Sequence, residues 1–420
     1  MRDAVEPRRS FRRIATAGVF FQGGAAAIDN STVVAALVHQ LTGSVVAVGA
    51  AATIARAGWL VPQLFVGYLA QRSERRMPFY VAGAIGRAAC LSALGVVLWL
   101  GSGLPFAVLV GLFFALWTMY SFIGGIVAVP YNDIVARSVS SERRSRLLAI
   151  RFFGGGLLAL GVAAIAHEVL RALPFPKGFA VLLLLGALLL FLSAILFVSA
   201  GEPSLAANSG PKRPDFVAFL RAGIDAVRTD RRFRLFLCGQ WLGGAASMAL
   251  PFYILQTEAA SGSLTLTAVF LSAQTAGALV SNAVWGWWGD HLGKLSLLHA
   301  VTLLSIVPPV LALAWMSIEP SVASWAWFTG LFAILGAAGN GATIAQLGYL
   351  MEISPDDRRP AYSGYFNALM APTTLLPLLG AFVARSGALG MVFSASVVAI
   401  VLQALLIRAL RREIEGDSHP

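Results

Sequence analysis

Apolar runs of roughly 20 to 25 residues follow one another along the whole chain, divided by short charged or glycine-rich loops. Each run is long enough to cross a ~30 Å hydrocarbon core as a helix rising ~1.5 Å per residue. No water reaches the backbone in that core. A spanning segment must therefore pair its own N–H and C=O groups, as a helix or as a strand of a closed barrel. The runs are continuously apolar rather than alternating, which selects helices. They fall near 13–37, 45–70, 77–100, 105–130, 146–170, 178–200, 232–256, 264–289, 295–317, 322–347, 360–384 and 388–410, twelve in all. Hydrophobic residues make up 58% of the 420 and charged residues only 12%, about half the share in a soluble domain. A water-soluble fold would have nothing polar to coat its core, so we expect an all-α membrane protein.

A pair of charged loops recurs half a chain apart. Gly67-Tyr68-Leu69-Ala70-Gln71-Arg72-Ser73-Glu74-Arg75-Arg76 is followed later by Ser140-Ser141-Glu142-Arg143-Arg144. Gly286-Trp287-Trp288-Gly289-Asp290-His291-Leu292-Gly293-Lys294 is followed by Ser354-Pro355-Asp356-Asp357-Arg358-Arg359. Gly67 and Gly286 lie 219 positions apart, Glu142 and Asp357 lie 215 apart. Two loop types repeating at nearly one offset indicate a duplicated six-helix unit, a plan on which secondary transporters are built. The expected organisation is two pseudo-symmetric six-helix bundles over 1–200 and 232–420, joined by a linker over 201–231. In that linker Phe216, Phe219, Leu220, Ile224 and Val227 recur at helical spacing, with Arg221, Asp225 and Arg228 off the stripe. This predicts an amphipathic helix resting on the inner membrane surface.

The net charge of +11 is sorted by side. One side collects Arg8, Arg9, Arg12, Arg13, Arg72, Arg75, Arg76, Arg137, Arg143, Arg144 and Arg146. It also takes the linker's basic residues, Lys294, Arg358, Arg359, Arg408, Arg411 and Arg412, while the other side keeps only Arg171, Lys177 and Arg385. The positive-inside rule then puts both termini and the linker in the cytoplasm. The basic excess is topological, and no nucleic-acid partner is expected. Arg8-Arg9-Ser10-Phe11 with Ala25-Ala26-Ala27 imitates a twin-arginine signal. The apolar pattern continues through Leu37, however, and the segment reads as the first helix. Cys90 and Cys238 lie in different halves without metal-ligand spacing and read as reduced packing residues. No cofactor or metal is expected.

The Gly-x-x-x-Asp-x-x-Gly-Lys loop at Gly286–Lys294, with two six-helix halves on a basic linker, resembles the major facilitator superfamily. Ala27-Ile28-Asp29-Asn30, Leu41-Thr42-Gly43-Ser44 and Gly67-Tyr68-Leu69-Ala70 look like the opening of its enterobactin- and drug-exporter-like branch. The resemblance implies that the loop holds the inner side shut. Its parts would be Gly286 and Gly289 for close helix approach, and Asp290, Gly293 and Lys294 for the latch. The first-half copy at Gly67, Gln71, Arg72 and Arg76 departs from the pattern: Gln71 stands where the Asp belongs and Glu74 where the second Gly belongs. The fifth helix carries Gly154-Gly155-Gly156 and Gly161 but none of the proline that proton-coupled drug exporters of this superfamily have there.

Ionisable residues inside the spans point to function, because each costs at least ~2.5 kcal/mol at the bilayer centre unless it pairs or meets water. The first half concentrates them: Asp29, Arg56, Arg87 and Arg151, with His167 and Glu168 near the outer end of the fifth helix. The second half offers neutral polar groups, Gln240, Gln274, Asn340 and Asn367. Arg87 could pair with Asp29 or a carbonyl and simply hold the bundle together. Asp29 could cap a helix break, pair with Arg56, or carry a proton. Asp133 and Glu352 read as gate or interface charges. No nucleophile, base or metal constellation and no ATP-binding loop is visible, so an enzyme is not expected. The reading is a monomeric secondary transporter working by alternating access, with its site at mid-membrane between the halves. Its cargo is a small anionic or zwitterionic amphipathic solute, and protons or another ion are the possible coupling partner. A lipid flippase and a transporter-derived sensor or assembly scaffold remain alternatives.

Overall fold

The computed structural model describes residues 7–72, 75–139, 141–203, 216–261, 265–318, 324–354 and 359–417. Glu74, Ser140, the loop at 355–358 and the linker stretch at 204–215 lie outside the described residues. In the first half, α1 (Pro7–Ala26) and α2 (Val33–Thr42) precede α3 (Val45–Arg72), α4 (Met77–Leu100), α5 (Phe106–Ser138), α6 (Ser141–Ala172) and α7 (Lys177–Ser199). The linker helix is α8 (Phe216–Thr229). The second half holds α9 (Arg231–Ala246), α10 (Leu250–Ser261), α11 (Thr265–His291), α12 (Lys294–Leu304), α13 (Val307–Trp315), α14 (Ser324–Ile353), α15 (Arg359–Met370), α16 (Leu376–Arg385) and α17 (Leu389–Asp417).

Among the described residues, eleven helical stretches are long and apolar enough to cross a membrane. Three of them are interrupted runs: α9 into α10, α12 into α13, and α15 into α16. Pro251, Pro308 with Pro309, and Pro372 sit at those interruptions, where a missing N–H and a ring clash end the regular ladder.

The first span differs from the expected 13–37, which the structure breaks. After Ala26 the chain turns, and Asp29 Oδ1 accepts the backbone N–H groups of Ser31 and Thr32, each at 3.0 Å. It also accepts their hydroxyls, at 2.7 and 2.9 Å. The carboxylate thus takes up donors that a continuous helix would have used, and α2 restarts at Val33 and runs to Thr42. Gly43 closes it with φ +62°, a left-handed conformation suited to glycine.

Contacts divide the chain into two compact units. The first comprises Met1–Ser44, Ile54–Pro211 and Ser263–Ser272, the second Val45–Thr53, Lys212–Gly262 and Ala273–Pro420. In the first, α4 packs on α5 and α7, and α1 on α6 and α7, around Ile14, Tyr80, Ala84, Ile134 and Phe197. In the second, α9 packs on α17, and α12 on α14 and α17, around Phe233, Phe236, Tyr349, Tyr362 and Phe366. The linker helix α8 packs on α9 and α15. Its apolar stripe is split: Ala226 and Val227 meet the core of the second unit, while Ile224 is 48% exposed.

Each unit contains a crossing of its second and fourth spans that tolerates no side chain. In the first, a Cβ on Gly125 of α5 would run into the carbonyl oxygen of Gly58 on α3. In the second, a Cβ on Gly277 of α11 would meet the Ala333 carbonyl oxygen, and one on Gly336 of α14 that of Gln274. Gly58 and Gly277 lie 219 positions apart and Gly125 and Gly336 lie 211 apart, so the crossings are part of the duplication. Small residues let helices approach closely where no hydrophobic effect drives them together.

Candidate functional site

The end of the first unit at which α4 begins is closed by a cluster of four charges. Glu202, three residues beyond α7, accepts the backbone N–H groups of Arg76 and Met77 at 2.8 and 2.9 Å, capping the start of α4. Its Oε1 also accepts from Arg137 Nη2 at 2.8 Å. Arg137 reaches Asp133 at 2.7 Å and donates to the Pro203 carbonyl at 2.9 Å, and Arg76 Nε lies 3.3 Å from Asp133. Burial alone would raise the Glu202 carboxyl. The hydrogen bonds from Arg137 and from the two α4 amides outweigh it and hold the group below the ordinary glutamate value. Burial alone would likewise lower Arg137, and its two carboxylate partners raise it. Sequence reading passed over Glu202 as a helix stop. The available signal was a Glu-Pro immediately after a span, on the side that collects arginines.

Deeper in the same unit, two arginines share one aromatic ring. Arg87 on α4 and Arg151 on α6 each stand ten residues beyond the start of their helix, about 15 Å along the axis. The guanidinium carbons lie 5.0 and 5.1 Å from the centroid of Phe21 on α1, hence within about 10 Å of one another. At that separation their mutual repulsion is roughly 1–2 kcal/mol at an effective dielectric near 20. Arg151 also donates to the Tyr131 hydroxyl at 3.2 Å. The Nε atoms of both arginines are buried without a hydrogen-bond partner. Together they line a cavity of about 100 Å³ with Phe21, Tyr80, Tyr131 and Asn132. Sequence reading found both arginines but missed Phe21 and the tyrosines, which nothing distinguishes among the chain's 26 Phe and 8 Tyr.

The structure does not bring Asp29 together with these arginines, because its carboxylate is engaged in its own cap. Arg56 sits half-buried on α3. Glu168 pairs with Arg171 at 2.8 Å on an exposed surface. Gly154 and Gly155 lie against Val19 and Gln22 of α1, close packing of the fifth span as its glycines allow. Gly67, Gln71 and Arg72 close α3, and their side chains lie outside the described residues.

In the second unit, Lys294 donates to Asp290 at 2.9 Å, with the Asp290 side chain 72% exposed. A Cβ on Gly289 would come within 3.1 Å of Leu297 and of Lys294 Nζ, and one on Gly348 of α14 within 3.0 Å of the Lys294 stem. Gly286 faces open space, so the close approach expected of it belongs to Gly289. Gly293 starts α12 with φ +86°, a conformation that favours glycine. Asn340 donates to Asn282 at 2.7 Å and to the Ala278 carbonyl at 3.2 Å, tying α14 to α11. Gln240 is buried with Nε2 unpartnered, Gln274 lies beside the Gly336 crossing, and Asn367 is half-buried on α15. Cys238, expected to pack, is exposed. Among the described residues, no cluster of His, Cys, Asp and Glu could hold a metal ion.

Two repeated helical units with long apolar spans define a multi-pass α-helical membrane protein. Residues 242–420 match the family model of the Major Facilitator Superfamily. The chain is 22% identical to uncharacterized proteins of Mycobacterium tuberculosis and Mycobacterium bovis, over 100% of its own length and 81% of theirs. Its fold is similar to a mutant of the nucleoside transporter NupG (TM-score 0.74, 11% identity, 96% of this chain and 99% of that one). It is also similar to an auto-inhibited POT family peptide transporter (TM-score 0.71, 13% identity, 96% and 97%). A bacterial homologue of the iron transporter ferroportin in its outward-facing state is a third neighbour (TM-score 0.65, 16% identity, 96% and 99%). The fold is that of these transporters, and residues 242–420 carry the match to the superfamily's family model.

Proposed function

We propose that this chain is a secondary active transporter of the cytoplasmic membrane that exports a small anionic or zwitterionic amphipathic solute by alternating access. The observation that carries the reading is the matched glycine crossing, Gly58 with Gly125 in one unit and Gly277 with Gly336 in the other. Each crossing pins the second and fourth spans of its repeat backbone to backbone. Each unit can then move as a stiff body, as rocking transporters built from repeats require. The sequence carries no phosphate-binding glycine loop of the ATPase kind, so the free energy comes from an ion gradient or from the solute's own gradient. The positive-inside distribution supports cytoplasmic termini. The neighbours' names cover nucleosides, peptides and iron, so the fold leaves the cargo open. The buried Arg87 and half-buried Arg151 of the first unit and neutral polar groups in the second support a cargo with negative charge.

The test is counterflow in liposomes containing only the purified protein and preloaded solute. Anionic or zwitterionic amphiphiles should exchange faster than in protein-free liposomes, without ATP. Exchange that requires ATP, or no exchange for any charged amphiphile, would sink the reading.

A further inference from the structure

Arginine keeps its charge in any protein environment, and a buried charge requires a partner. The carboxylates of the first unit whose side chains are described are all committed elsewhere. Asp29 holds the turn before α2, Asp133 and Glu202 bind Arg76 and Arg137, and Glu168 binds Arg171. Among the described residues none pairs with Arg87 or Arg151. Arg87 is only 3% exposed. What surrounds the two guanidiniums is the Phe21 ring, the Tyr131 hydroxyl and a cavity of about 100 Å³. That space holds several water molecules, or one carboxylate or phosphate group.

We propose that the cavity between Arg87 and Arg151 is an oxyanion site that binds the carboxylate or phosphate head of the transported solute. The proposal deepens the transporter reading above and rests on it for the claim that the occupant is cargo. The planar guanidinium fork fits carboxylate and phosphate oxygens two at a time, which chloride cannot reproduce. Stacking on Phe21 holds both forks while leaving their N–H edges for the ligand. Ala17, Val127 and Ala128 give the lining an apolar side, which suits the first carbons of a tail. The site holds two positive charges and no negative one, so it selects a net anion over a zwitterion.

The full-length protein in detergent is titrated with inorganic phosphate, hexanoate, 6-aminohexanoate and hexanol at ionic strength matched with potassium chloride, and thermal stability is followed. Phosphate and hexanoate should stabilise saturably and compete with each other. Hexanol should do nothing, and the zwitterionic 6-aminohexanoate should bind roughly tenfold or more weakly, because no carboxylate meets its ammonium group. Arg87→Gln and Arg151→Gln should each weaken hexanoate roughly 10- to 100-fold. Arg171→Gln, at the exposed pair, should leave it unchanged. If Arg87→Gln does not fold, Arg151→Lys keeps the charge and removes the fork, and should still weaken hexanoate about tenfold. Phosphate binding without hexanoate binding would identify a free inorganic anion as the occupant and overturn the cargo claim. Equal stabilisation by hexanol or potassium chloride, or unchanged hexanoate affinity in the arginine variants, would overturn the site. Binding without hexanoate counterflow in liposomes would leave the site standing and remove the transporter reading. Counterflow unchanged by both arginine variants would do the reverse.

Discussion

Replacing Glu202 should destabilise the first unit through two separable losses. Its side chain is 11% exposed, and it serves two backbone amides and Arg137. Glu202→Ala removes the cap of α4, worth ~1 kcal/mol, and one charge-assisted hydrogen bond, worth ~1.5–3 kcal/mol. Arg137 retains Asp133 and the Pro203 carbonyl, so its charge is not left alone and the ~3–5 kcal/mol of an orphaned buried ion does not apply in full. The expected cost is therefore about 3–4 kcal/mol for Ala. For Gln, which keeps an acceptor for the amides and loses the charge, it is about 1–2 kcal/mol. Acidity separates charge from shape. The folded carboxyl lies below its ordinary value of 4.5, so the native state binds its proton less readily than the unfolded chain. The stabilisation is fully present above the ordinary value and is lost as pH falls through the depressed one. Equilibrium or kinetic unfolding of wild type and Glu202→Gln in detergent, from pH 7 down to about 3, should show a constant gap that closes below the ordinary glutamate value. A gap that ignores pH over that range, or an alanine variant within ~0.5 kcal/mol of wild type, refutes the account.

Other outcomes follow from the same geometry. Gly336→Val should abolish folded expression because its side chain meets the Gln274 carbonyl, whereas Gly286→Ala, facing open space, should express normally; fluorescence-detected size exclusion reads both. Asp29→Asn keeps an acceptor oxygen for the Ser31 and Thr32 amides of the turn before α2 and should fold, while Asp29→Ala should cost ~1–2 kcal/mol. If Asp29 also carries protons, Asn will abolish accumulation driven by a pH gradient and leave exchange intact. Asp290→Asn breaks an exposed pair and should lower stability by less than ~1 kcal/mol, so a large loss of transport with normal melting would assign it to the gate. A reporter active only outside the cytoplasm should be silent when fused after Arg76, Asn208 or Pro420 and active near Ser102, Glu258 or Glu319.

The duplication was legible in the sequence because loop glycines and charges recur at one offset, and the Gly58 and Gly277 crossings recur at that same offset. Arg87 and Arg151 were legible because charge is rare in a span and their depth can be counted from the helix starts. What completes each arginine was not. Phe21 becomes distinctive only when its ring comes within reach of Arg87 on α4 and Arg151 on α6, a tertiary fact that no local pattern encodes. The break at Asp29 was one of several readings the sequence allowed, since an acid followed by Ser31 and Thr32 can cap a helix or lie along one. Glu202 was hidden for a related reason: its partners lie 125 and 126 positions away at the α4 start and 65 away at Arg137. Gly286 was overread because a shared motif does not say which of its glycines faces a neighbour.

Those separations also order events during synthesis. While the first six spans are being inserted, Arg76 and Arg137 have emerged without Glu202. Asp133 alone is then at hand to pair with them, so the group keeps a net positive charge, the form in which basic residues direct orientation. Only when the chain has been made past α7 does Glu202 arrive to cap α4 and take up Arg137. Glu202 supplies the second carboxylate, and the cluster of two arginines and two acids becomes neutral. The first unit thus acquires its ionic closure after its topology has been set, and a chain truncated before Glu202 would carry the orientation signal without the clasp.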